Sequence, residues 1–126
     1  MGKQGFRGLL VWQKAKSLAV AVYRLTTNGP LSRDYALRDQ MRRAAISICS
    51  NIAEGDERDT DKDAVRFFYL AKGSAAELSA QSEIAEAVGH LPQSQADELI
   101  QSCEEIGRML RGLISARSNR LSEPDA

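Results

Sequence analysis

Apolar side chains recur at steps of three and four residues in four separate stretches of this chain, a spacing that places them on one face of each of four helices. The predicted helices cover about residues 9–27, 33–54, 60–88 and 93–117, and residues 118–126 are expected to form a frayed tail. The turns between them are short, and no alternating strand pattern of useful length appears. We therefore predict one all-α domain, an antiparallel up-down-up-down four-helix bundle.

The inward-facing positions follow from the same spacing. We expect the core to contain Val11, Ala15, Leu18, Val22 and Leu25 from the first helix; Leu37, Met41, Ala44, Ile48 and Ile52 from the second; Ala64, Phe68, Ala71, Ala75, Leu78 and Ala85 from the third; and Ala96, Leu99, Cys103, Ile106, Leu110, Leu113 and Arg117 from the fourth.

Turn and capping residues mark the ends of the predicted helices. Residues 28–30, Asn-Gly-Pro, end the first helix, because proline cannot continue the hydrogen-bond ladder. Ser32 is the expected N-cap of the second helix, and Gly55 is expected just past its last residue. Thr60 and Asp63 have the spacing of a capping box, so the third helix begins there.

A second apolar stripe lies beside the inward face of the first helix. Trp12, Ala19 and Tyr23 form it. A helix that is apolar over more than one face buries more than one face. These three residues are therefore our candidates for a contact between subunits of a homo-oligomer.

Length and composition limit the class of protein. A chain of 126 residues with 43% hydrophobic and 27% charged residues can bury one core and lies in the ordinary globular range. No apolar run is long enough to cross a bilayer or to act as a signal peptide, so we expect a cytoplasmic protein without a membrane partner. Cys49 and Cys103 fall within apolar helical patterns and are interpreted as reduced core thiols.

Charge is balanced overall and uneven along the chain. The net charge is zero and the pI is about 6.6. Residues 1–55 carry nine basic and three acidic side chains, a net charge of +6, so residues 56–126 carry −6. This asymmetry fits two halves of one bundle that attract each other, and it also fits a surface for an anionic partner.

Six basic residues of the first two helices are candidates for contact with RNA or DNA. A ring of subunits would repeat them around its axis and strengthen weak binding by avidity. The alternative is an ordinary exposed helix, since Asp34 precedes Arg38 and Asp39 precedes Arg43 by four residues. The candidates are Lys14, Lys16, Arg24, Arg38, Arg42 and Arg43.

Polar side chains also form a stripe beside the apolar seam of the second helix. One interpretation is a hydrogen-bonded network with Glu77 and Gln81 of the third helix or with a neighbouring subunit. The other is a ligand or RNA contact through Arg43 and Asn51. The stripe consists of Gln40, Arg43, Ser47, Asn51 and Glu54.

No pattern of catalytic or cofactor-binding residues stands out. A bundle di-metal site needs Glu-x-x-His pairs, but the only histidine, His90, follows Ala87 at that spacing. The pairs Glu54 with Glu57 and Glu83 with Glu86 are the weak basis for a remote alternative, a metal-dependent nucleotide hydrolase. We therefore predict no catalytic residues, no metal and no cofactor.

Three sequence strings carry a resemblance to a known family. They are LVWQKA at 10–15, QMRRAAISICSNIAEGDER at 40–58 and RFFYLAKGSAAELSAQ at 66–81. In this order and spacing they resemble the 23S rRNA intervening-sequence proteins, a family of four-helix bundles, over about residues 9–115.

The resemblance implies an up-and-down bundle that assembles into a ring, with five subunits expected, and no enzymatic activity. Accessory proteins of diversity-generating retroelements are similar to this fold and bind nucleic acid and a reverse transcriptase through a basic surface. The leading hypothesis is thus a non-enzymatic, homo-oligomeric binding or scaffolding protein whose partner is nucleic acid, RNA in particular. The alternative is a purely structural or protein-interaction ring, with a protein partner.

Overall fold

The computed structural model describes residues 5–122, and all regular structure in that range is helical. A 3₁₀ turn, Gly5–Gly8, comes before α1 (Leu10–Leu25), α2 (Pro30–Arg33), α3 (Tyr35–Asp56), α4 (Asp61–Ala87) and α5 (Gln93–Ser122). The helix α2 is a single turn, and the other four are long. The predicted all-helical class is confirmed, with one short helix added between the first two long ones. None of the described helices is long and apolar enough to cross a membrane.

The core forms along the predicted seams. Leu25, Leu37 and Leu113 are only half-buried, and Arg117 lies at the edge of the core, whereas every other predicted inward position is buried. Four alanines of α4 are among the buried residues, which lets the neighbouring helices approach closely. The seam prediction is therefore confirmed by the burial pattern.

Helix α4 packs along both α3 and α5, whereas α1 packs mainly on α3. At one end of the bundle, the Nε2 atom of His90 lies 3.1 Å from Oδ2 of Asp34. Near the other end, Gly55 of α3 faces Phe68 of α4. The helices α3 and α4 thus lie side by side over most of their length.

The predicted N-cap of the second long helix was wrong. Ser32 lies inside α2, where its hydroxyl donates to the carbonyl of Gly29 at 2.6 Å. Gly29 has a φ of 76° and Pro30 follows it at the first helical position, so a separate turn begins there. Asp34 caps α3 instead, accepting from the Leu37 amide at 3.2 Å. The predicted cap at Thr60 is confirmed, since its hydroxyl accepts from the Asp63 amide at 3.2 Å.

Gly55 does not end the helix as predicted, because it lies buried within α3. A Cβ atom at this position would lie 2.8 Å from Cε1 of Phe68. The glycine is therefore required by the close approach of α3 and α4. Gly73 is the opposite case, since a Cβ there would meet nothing within 4 Å, so close packing does not explain that residue.

The C-terminal helix extends further than predicted. Helix α5 continues to Ser122, whereas we expected it to end near residue 117 and residues 118–126 to fray. Nη1 of Arg117 lies 3.3 Å from Oδ1 of Asp61, and Nε of Arg120 donates to Oδ2 of Asp61 at 2.9 Å. These pairs attach the last turns of α5 to the start of α4. Residues 123–126 of the predicted tail lie outside the described residues.

Candidate functional site

An open groove runs between α1 and α3 on the outside of the bundle. Its volume is about 460 Å³. The groove contains all three residues predicted for a subunit contact. We call it the α1–α3 groove, and its lining residues are Trp12, Lys16, Ala19, Val20, Tyr23, Arg24, Thr27, Ile46 and Cys49.

Large apolar side chains of the α1–α3 groove are open to solvent. Val20, Tyr23 and Ile46 are 39%, 41% and 44% exposed. Trp12 is half-buried, with its ring edge-on to Phe6 at a centroid distance of 5.0 Å. Such a concentration of exposed apolar surface is typical of an interaction site.

Three of the six predicted nucleic-acid-binding cations are engaged within the chain. Lys14 forms an ion pair with Glu105 at 3.0 Å. Arg38 pairs with Asp39 at 2.9 Å and also donates to the Ser32 carbonyl. Arg42 donates from Nε to the hydroxyl of Thr26 at 2.8 Å and from Nη2 to its carbonyl at 3.3 Å, with its guanidinium over the Tyr23 ring. These contacts give Arg42 a structural role at the α1–α3 contact.

The other three cations lie on or beside the α1–α3 groove. Lys16 sits over the Trp12 ring at 5.8 Å, and both Lys16 and Arg24 line the groove. Arg43 borders a neighbouring depression that shares Tyr23 and Ile46 with the groove. Among residues 5–122, none of these three cations forms an ion pair. The edge of the groove is therefore positively charged.

The charge asymmetry between the two halves of the chain is only slightly neutralised inside the bundle. Within the described range, Lys14 with Glu105 is the one ion pair that joins a basic residue of the first half to an acidic residue of the second. Both side chains are more than a third exposed, so the pair contributes little to stability. Lys16, Arg24 and Arg43 thus remain available to a partner.

The residues of the predicted polar stripe on α3 either bond to near neighbours in the chain or are exposed. Asn51 donates to the Ser47 carbonyl of its own helix at 2.9 Å, and Glu54 pairs with Arg58 at 2.9 Å. Gln40 and Arg43 are exposed. In the described part of the chain, no stripe residue of α3 bonds to either of its predicted partners on α4, Glu77 or Gln81.

Gln81 itself is unusual. It is 7% exposed, and its Oε1 atom is buried without a hydrogen-bond donor among the residues that the structure describes. A buried acceptor without a donor is destabilising, so native proteins rarely keep one.

Beside Gln81, a line of exposed side chains runs along the outside of α4. Leu70, Ile84 and Val88 are 50%, 52% and 55% exposed, and Glu77 lies midway between Leu70 and Ile84. Steps of seven residues place Leu70, Glu77 and Ile84 on one face of the helix, and Val88, the residue that follows the last helical residue, continues this line. We call these four residues the α4 ridge. Sequence reasoning missed the ridge, although its signal is present as apolar residues that recur off the core seam.

Neither cysteine is an activated thiol, and no metal-binding cluster is found among the described residues. Burial raises the pKa of Cys49 to about 11 and that of Cys103 to about 12. Both thiols are therefore protonated at neutral pH and are weak nucleophiles. No three His, Cys, Asp or Glu side chains between residues 5 and 122 are grouped so that they could hold a metal ion.

Comparison with known proteins identifies a family and a similar solved structure. Residues 7–112 match the family model described as 23S rRNA-intervening sequence protein. The fold is similar to a crystal structure of a protein of unknown function from the S23 ribosomal protein family of Bacteroides thetaiotaomicron VPI-5482, with a TM-score of 0.77 and 21% identity over 83% of this chain and 98% of that one. No curated protein matches significantly.

Proposed function

Because the chain belongs to the 23S rRNA-intervening sequence protein family, we propose that it is a non-catalytic, self-associating binding or scaffolding protein. In this proposal the antiparallel bundle is the subunit of a closed ring, for which the family resemblance favours five copies. The α1–α3 groove is the surface through which one copy holds the next. The residues predicted for a subunit contact, Trp12, Ala19 and Tyr23, all line this groove.

The observation that supports the proposal most is the composition of the groove. Its floor is apolar, and three of its large side chains are 39 to 44% exposed in the single chain. Burying apolar surface is the main favourable term in protein association. Cations at its edge, Lys16 and Arg24, add selectivity for an acidic partner surface.

The test is the mass of the protein in solution. Sedimentation velocity of the wild type over a concentration series should show an assembly, and Ile46→Glu should shift it to monomers because a carboxylate is buried in an apolar contact. Leu10→Glu is the matched control, since Leu10 is 61% exposed on the same pair of helices but does not line the groove. A monomeric wild type, or an Ile46→Glu variant that assembles normally, would contradict the proposal.

RNA binding is a second candidate function. Its support is that Lys16, Arg24 and Arg43 lack a carboxylate partner among the described residues, so an open α1–α3 groove would present these charges to a nucleic acid in place of a second copy. Fluorescence anisotropy of labelled structured RNA, single-stranded RNA and duplex DNA at low and near-physiological salt tests it. Binding should fall in Lys16→Glu/Arg24→Glu/Arg43→Glu, and no binding at low salt would exclude this candidate. Arg38 and Arg42 are unsuitable for the test, because their substitution disturbs contacts within the chain.

A further inference from the structure

We infer that the occupant of the α1–α3 groove is the α4 ridge of a second copy of this chain, an inference that rests on the self-association proposed above. One copy would offer its groove, the next would insert Leu70, Ile84 and Val88 into it, and Glu77 would lie near the cations at the groove edge. The contact is therefore between two different surfaces, groove and ridge.

Shape is the first argument. The groove is concave and follows α1 from Trp12 to Thr27, which is about 22 Å at 1.5 Å per helical residue. The ridge is convex and extends from Leu70 to Val88, about 27 Å on the same basis. Leu70, Ile84 and Val88, the apolar residues of the ridge, are each at least half exposed. A ridge and a groove of similar length pack in the way that helices commonly do.

Charge is the second argument. Lys16, Arg24 and Arg43 lie on or beside the groove without a carboxylate partner among residues 5–122. Glu77 is the one charged residue of the ridge, and the other three are apolar. The groove cations can therefore meet the Glu77 carboxylate, which favours this pairing over groove against groove, where the like charges would repel.

The geometry has a consequence for assembly. The groove belongs to α1 and α3, the ridge belongs to α4, and the two surfaces share no residue. Each copy can therefore engage two neighbours at once. A contact of this head-to-tail kind repeats until it closes into a ring or continues as a filament.

A mixing experiment tests the inference. The groove variant is Val20→Lys/Ile46→Lys, and the ridge variant is Leu70→Lys/Ile84→Lys, so the two altered surfaces repel each other; all four residues are 39 to 52% exposed, so the isolated fold should tolerate them. Each variant alone should be monomeric, because charges buried at the contact weaken association about tenfold or more. Mixed in equal amounts they should form a 1:1 dimer, since one keeps an intact ridge and the other an intact groove. Leu10→Glu should assemble like the wild type.

The outcomes separate the two proposals. A ridge variant that assembles like the wild type while the groove variant is monomeric would overturn the ridge as occupant and leave the groove as a docking surface. A groove variant that assembles normally, or a monomeric wild type, would overturn both. Helix content by circular dichroism checks that each variant folds. If a double variant fails to fold, Glu77→Lys, a single change at an exposed position, should weaken association, and unchanged association would overturn the inference.

Discussion

Arg42 of α3 holds both oxygen atoms of Thr26 at the end of α1, at 2.8 Å to the hydroxyl and 3.3 Å to the carbonyl. Thr26 is fully buried, and its hydroxyl also donates to the Val22 carbonyl at 2.7 Å. The guanidinium lies 4.5 Å from the centroid of the Tyr23 ring. One side chain thus connects the end of α1 to α3 and orients a tyrosine of the groove.

The first prediction concerns this contact. Arg42→Ala should lower the free energy of unfolding by about 1–3 kcal/mol, because a buried threonine loses its charged donor. Arg43→Ala, at the next residue, should have little effect, since no side-chain partner of Arg43 lies within residues 5–122. Urea denaturation of both variants measures the difference, and equal stabilities would contradict the structural role of Arg42.

The second prediction uses two glycines of neighbouring helices. Gly55→Ala should destabilise the fold by about 1–3 kcal/mol, because the new methyl group would overlap the ring of Phe68. Gly73→Ala should stabilise it by about 0.5–1 kcal/mol, since the added methyl group meets open space and alanine has a higher helix propensity than glycine. Melting temperatures of the two variants should therefore shift in opposite directions. A stabilising Gly55→Ala would show that α3 and α4 are less tightly packed there.

The third prediction concerns pH. The hydrogen bond from Arg120, helped by Arg117, lowers the pKa of Asp61 below its ordinary value. A carboxylate with a lowered folded-state pKa stabilises the fold above its unfolded pKa, and this contribution is lost as pH falls through the folded value. Asp61→Asn should therefore melt below the wild type at pH 7; the difference should begin to shrink near pH 4, the ordinary carboxyl range, and vanish only below the lowered folded-state pKa.

The exposed Asp59→Asn serves as the control for the pH series and should follow the wild type throughout. Thermal unfolding from neutral to acidic pH measures the effect. A difference between Asp61→Asn and the wild type that persists at the acidic limit would mean that the ion pairs do not anchor the end of α5.

The sequence predicts the core of this fold well because burial depends on periodicity. The seam of α4, with Phe68 and Leu78, follows directly from steps of three and four residues. Positions that depend on a distant neighbour are not predictable in this way. Gly55 has the signature of a helix end, and only its distance to Phe68 shows that it is a packing residue.

The candidate site was predictable in part for the same reason. The stripe of Trp12, Ala19 and Tyr23 follows from α1 alone, whereas Ile46 joins the groove only through the packing of α3 against α1. Arg42 looks like a surface cation in the sequence, but the fold places Thr26 within reach of its guanidinium. Charge and spacing therefore indicate which side chains could contact a partner. Tertiary packing decides which of them make no contacts within the chain.

The fourth prediction concerns the orphaned acceptor. Gln81→Met should leave the isolated chain as stable as the wild type or slightly more stable, because the Oε1 atom has no donor within the described chain. Urea denaturation of the variant and the wild type measures the difference. A Gln81→Met variant that is clearly less stable than the wild type would show that the amide has a hydrogen-bond partner in the fold.

The most direct test of the central claim, that self-association buries the α1–α3 groove, uses the single tryptophan of the chain. Trp12 lines the groove, so its fluorescence reports on that surface alone. Acrylamide quenching of Trp12 should fall as protein concentration rises, over the same range in which sedimentation shows the mass increase. Quenching that stays constant while the mass increases would place the subunit contact elsewhere and contradict the account.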